Sequence, residues 1–169
     1  MTVDERAVAT YLSSCVHALY RHWGECAPSF TNDTYAVCAY EGARHFGEVA
    51  LAWREALGDV PAGHVAPLDE VLASAKADAT GTMSLYAVAV VVGPRLLVSV
   101  RDAQALIRHE AWAELLNVTA DATVAVMHRV QDAMQRSAPH VDEGWQGRAR
   151  RLADALDTSG MAESLGLGD

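Results

Sequence analysis

The chain has 169 residues, 51% of them hydrophobic and 21% charged, the composition of an ordinary globular domain rather than a disordered or fibrous chain. At that length a single domain buries about 70% of the surface its unfolded chain exposes, so its core needs neither disulfides nor a structural metal. Thirteen basic against 22 acidic residues leave a formal net charge of -9, which repels phosphate and argues against nucleic-acid or anionic-membrane partners.

The first residues carry Asp4, Glu5 and Arg6 among polar positions, with no basic start followed by an apolar stretch. That pattern is not a secretory signal, and a cytoplasmic chain is expected. The three cysteines, Cys15, Cys26 and Cys38, are an odd number and read as free thiols or ligands rather than a disulfide framework.

Apolar residues recur at Val8, Leu12, Cys15, Leu19 and Trp23, which predicts a helix from about Asp4 to Trp23, ended by Gly24 and Pro28. After Thr31 to Asp33, which offer N-cap oxygens, a second helix is expected to run to about Leu57. Its core stripe is Tyr35, Ala39, Ala43, Phe46, Ala50, Trp53 and Leu57, and Gly58 is its stop. A loop with Pro61, Gly63, His64 and Pro67 leads into a shorter helix, roughly Leu68 to Ala79.

The stretch from Met83 to Val100 is apolar enough to raise a membrane question, but Gly93, Pro94 and Arg95 interrupt its centre. A buried core element is therefore expected. Its β-branched runs flanking Gly93-Pro94 admit a buried β-hairpin over 83–100, and the helical surroundings favour helix. From Asp102 to Leu116 the pattern predicts a helix apolar on two sides and hence central. Thr119 or Asp121 then opens another helix to about Arg136, with Ala120, Val124, Met127, Val130 and Met134 inward. Pro139 to Glu143 reads as a loop. Trp145 to Leu156 reads as a last helix whose Arg148, Arg150 and Arg151 face water. These elements predict a mainly α, single-domain bundle of six or seven helices over residues 1–158, followed by a flexible tail at 159–169.

Chemical signals are sparse. The first two helices share a partial repeat of Cys, five residues, Arg, His, aromatic, Gly and Glu, which places Cys15 and His22 in register with Cys38 and His45. Seven helical positions separate each Cys and His by only about 20° in azimuth but about 10 Å along the axis. Convergence therefore requires the Cys of one helix to meet the His of the other. In an antiparallel pair those four side chains could hold a transition metal such as zinc or iron. The bland alternative is that the thiols simply pack in the core.

Glu41, His45 and Glu48 superficially resemble a di-iron ligand set. Their spacing departs from Glu-x-x-His, and they fall on the wet side of their helix. His109 lies between apolar positions of the helix expected to be central, where it is either a pocket residue or a packed core histidine. Trp112, Tyr86 and Trp53 are the aromatic residues expected to line a pocket with it. His128 reads as a solvated residue. There is no phosphate-binding glycine loop, Cys-x-x-Cys, His-Glu-x-x-His or nucleophile elbow, so the sequence establishes no enzymatic activity. The expected function is a bundle that binds a small molecule or metal. The alternative is a non-catalytic regulatory bundle that self-associates as a homo-oligomer through an apolar helix face.

Overall fold

The computed structural model describes residues 4–137 and 139–156. It is a mainly α bundle with no strand among the described residues. The helices are α1 (Glu5–Cys26), α2 (Asp33–Leu57), α3 (Ala66–Ala75), α4 (Thr82–Leu106), α5 (Glu110–Ser137) and α6 (Glu143–Ala155). The tail expected at 159–169 lies outside the described residues.

α1 and α2 form an antiparallel hairpin, and both apolar stripes read from the sequence are buried along their whole length. Local chemistry fixes the ends. Asp4 accepts from the Arg6 and Ala7 amides to open α1, Asn32 accepts from the Tyr35 amide to open α2, and left-handed Gly58 closes α2. The hairpin register is set by close approach. A side chain at Gly42 would meet the Trp23 ring, one at Gly47 would touch Tyr20, and Arg6 donates to the Leu57 carbonyl where the helices end together.

α4 is the central element and resolves the helix-or-hairpin alternative in favour of helix. It is long and apolar enough to cross a membrane, and 67% of its most apolar stretch is buried inside the fold. Pro94 is accommodated because the turn before it, Ala87–Val92, is π-helical: the Gly93 amide donates to the Val88 carbonyl five residues back. An α-helix would place the proline ring against the carbonyl four residues earlier, and the wider turn relieves that clash. The π turn packs on α3, α5 and α6.

The segment 102–136 differs from expectation. The chain breaks at Ile107–His109, where α4 ends, and α5 then runs unbroken through Thr119 and Asp121. The helix expected to be central is thus the end of one helix and the start of another. The break is held by Glu5 of α1, whose carboxylate accepts from the Arg108 and His109 amides (2.8 and 3.1 Å). These bonds hold the Glu5 carboxyl below its usual range. Thr119 does not cap a new helix: its hydroxyl donates back to the Leu115 carbonyl, as that of Thr123 does to Thr119. The buried stripe of α5 is accordingly Trp112, Leu116, Thr119, Thr123, Val126, Val130 and Ala133. Val124 is exposed, and Met127 and Met134 are only half-buried.

Candidate functional site

A polar cluster in the core lies where α1 meets the first turn of α4. Trp23 donates through Nε1 to Ser84 Oγ (3.1 Å), His22 Nε2 lies 2.7 Å from the same oxygen, and Cys26 Sγ is 3.6 Å away. Burial lowers the His22 imidazole to about 4, with Lys76 pushing the same way and Glu25 opposing, so the ring is neutral near pH 7. Its Nδ1 is buried without a partner among the described residues. A serine at this distance from a histidine has the geometry of a nucleophile and its base. Ser84 is 0% exposed, however, and no described residue orients the far side of the ring. The group can lock α1 onto α4, but as packed it offers no substrate a path to the hydroxyl.

The four residues of the Cys/His repeat do not come together. With Trp23 against Gly42 and Tyr20 against Gly47, the α1–α2 register misses the alignment of Cys15 with His45 by about six residues, or about 9 Å. Cys15 sits under Tyr11, Leu68 and Leu96, and burial pushes its thiol up to about 12. Cys38 is pushed up to about 11 by burial and faces Arg129 and Arg136 across the α2–α5 seam. His22 belongs to the serine cluster, and His45 lies half-exposed beside Glu48 and Asp121. Among the described residues no three His, Cys, Asp or Glu side chains are grouped to hold a metal ion. Thiols raised this far are poor thiolate ligands.

The aromatic set expected around His109 is also divided. His109 is exposed rather than buried, since it precedes the first turn of α5, and its ring stacks on Trp112 at 4.4 Å. Trp112 and fully buried Trp53 reach across to the end of α2 and to Thr119, by bonds to the Ala56 carbonyl (3.4 Å) and the Thr119 hydroxyl (2.9 Å). Tyr86 stands apart from them.

Tyr86 instead lines a groove of about 510 Å³ between α4 and α5. One wall is Tyr86 with Ala89 and Val90 of the π turn, the other Met127, Val130 and Met134, and His128, Gln131 and Gln135 add polar groups from α5. Two local features create it. The π turn leaves Val90 45% exposed between buried neighbours, and Gly93 lets α4 approach so closely that a side chain there would lie 2.9 Å from the Met127 sulfur. At one end the Tyr86 hydroxyl donates to Gln146 Oε1 (3.0 Å) and accepts from Arg150 Nη2 (3.2 Å), while Trp145 packs edge-on against the ring. Sequence reasoning placed Met127 and Met134 in the core and His128 in solvent. The signal that could have found the groove is Gly93-Pro94 inside an apolar run, which forces a distorted turn next to a methionine-rich helix.

No protein-family model, curated protein or solved structure matches the chain.

Proposed function

We propose that this protein is a small-molecule-binding helical bundle whose ligand lies in the α4–α5 groove. The observation that carries this reading is the groove itself: about 510 Å³, with mainly apolar walls and a few polar side chains. That volume and chemistry fall within the range of small-ligand sites. Methionines adapt to irregular apolar shapes, and single π turns inside helices recur at functional positions. The zinc or iron reading has no assembled ligand set behind it among the described residues.

A rival reading, self-association of a regulatory bundle, draws on exposed Val37, Tyr40 and Leu51 along α2. Those residues alternate with exposed Arg44, Glu48 and Glu55 on the same face, so the surface is mixed rather than apolar.

A neutral, environment-sensitive dye such as Nile red tests the reading. The folded protein is expected to bind it with a saturable rise in emission. Val90→Asp, which puts a charge on the groove wall at an exposed position, is expected to abolish that rise while leaving the circular dichroism unchanged. A parent protein that gives no saturable signal, or a Val90→Asp variant that binds as the parent does, overturns the groove as the site. Sedimentation showing a dimer that Leu51→Glu dissociates would favour the rival.

A further inference from the structure

Just beyond the Tyr86 wall of the groove, on α6, stands Arg150, a group that a purely apolar ligand would not use. Arg150 spends one guanidinium donor on the Tyr86 hydroxyl and makes no ion pair among the described residues. Among the described residues four arginines of the fold are ion-paired, Arg21 to Glu25, Arg54 to Asp59, Arg95 to Asp154 and Arg129 to Glu41, and Arg150 is among those that are not. It keeps donors that no described residue pairs, in a chain of net charge -9. It is also held in place, because the Tyr86 ring that carries it is fixed by Trp145 on its edge and by Gln146 at its hydroxyl. A guanidinium with free donors in a planar fork matches a carboxylate two-to-two, a geometry no neutral head group reproduces.

Building on the groove as the binding site, we propose that its ligand is an anionic amphiphile. The aliphatic or aryl body would lie over Ala89, Val90, Met127 and Met134, and a carboxylate head would pair with Arg150. Tyr86 is then a positioning residue: its ring forms the wall at the head-group end and its hydroxyl aims the guanidinium.

Titration calorimetry on the full chain at low ionic strength, with decanoate, decan-1-ol and decylammonium as probes, tests this. Decanoate is expected to bind about tenfold more tightly than decanol, as charge-assisted hydrogen bonding at a partly exposed site allows, and decylammonium more weakly than either. Arg150→Gln is expected to bring decanoate down to the affinity of decanol while leaving decanol unchanged. Tyr86→Phe should lose part of the preference and make the remainder more sensitive to salt. Equal binding of decanoate and decanol by the parent overturns the anionic head group and leaves the groove standing. A decanoate preference that survives in Arg150→Gln overturns the assignment to that residue. Binding of none of the three overturns this inference together with the groove.

Discussion

His22 ties the stability of the fold to pH, because burial opposes its protonation where it sits. In the unfolded chain an imidazole titrates near its ordinary value of about 6.5, whereas burial lowers His22 to about 4 in the folded protein. Between those values the unfolded chain binds the extra proton. The contribution is complete above about pH 6.5, is lost as pH falls through that window, and is flat below it. That difference corresponds to about 3 kcal/mol. Urea melts at pH 7, 5.5 and 4 should show the parent losing stability through this range, and His22→Gln should lose correspondingly less. Gly42 is a second sensitive position. A Cβ there would lie 2.1 Å from a carbon of the Trp23 ring, which is fully buried and tethered by its bond to Ser84. Gly42→Ala is therefore expected to destabilise by about 1 to 3 kcal/mol through overpacking, measured by denaturant midpoint. Of these two residues the sequence disclosed only the types. His22 was read as a ligand paired with Cys38, because periodicity gives a residue's face but not which helix lies opposite.

At the scale of elements, the two central helices owe their starts to distant or unusual caps. Asp78 precedes α4 by four residues, and its carboxylate gathers the amides of Thr80 and Met83 and the hydroxyl of Thr80. Partial burial raises its carboxyl, but these bonds outweigh that and leave it below the usual range. Asp78→Ala should cost about 1 kcal/mol, as loss of an N-terminal cap does, and thermal melts would register it. The start of α5 depends on Glu5 at the far end of the sequence. Glu5→Gln should lower the melting temperature and fray the first turn of α5, visible as faster amide exchange at residues 110–113. These caps explain what periodicity could and could not recover. α1 and α2 were legible to within a few residues because their stops are local: Gly58, Asn32 and the turn at Pro28. The break at Ile107–His109 contains no glycine or proline, so nothing local announces it. Thr119 was read as a helix start because threonine commonly caps, whereas here its hydroxyl bonds inside the helix. Because the buried stripe of α5 contains polar Thr119 and Thr123, apolar spacing alone rotated the expected face and placed Met127 and Met134 inward.

For the whole molecule, the strength of attachment differs between helices. α1, α2, α4 and α5 pack directly on one another, whereas α6, whose Trp145, Ala149 and Ala153 extend the same core, packs chiefly on α3 and on the π turn of α4. Native-state hydrogen exchange should therefore find α6 opening at lower free energy than the α1–α2 hairpin, and equal protection of the two would contradict that layering. The groove was not legible from the sequence because it is a consequence of assembly: it needs the π turn, the approach at Gly93 and the outward methionines together. All four tryptophans are pinned through Nε1, to Ser84, Thr119, the Ala56 carbonyl and Ser74, so each indole has a fixed surrounding. Among the described residues, only Trp145 of the four is in ring contact with a wall of the groove, through Tyr86. The protein thus carries an optical probe of its own: filling the groove should change the emission of Trp145 and leave the buried indoles of α1 and α2 silent. In Trp145→Phe that spectral response should vanish, even while calorimetry still records binding.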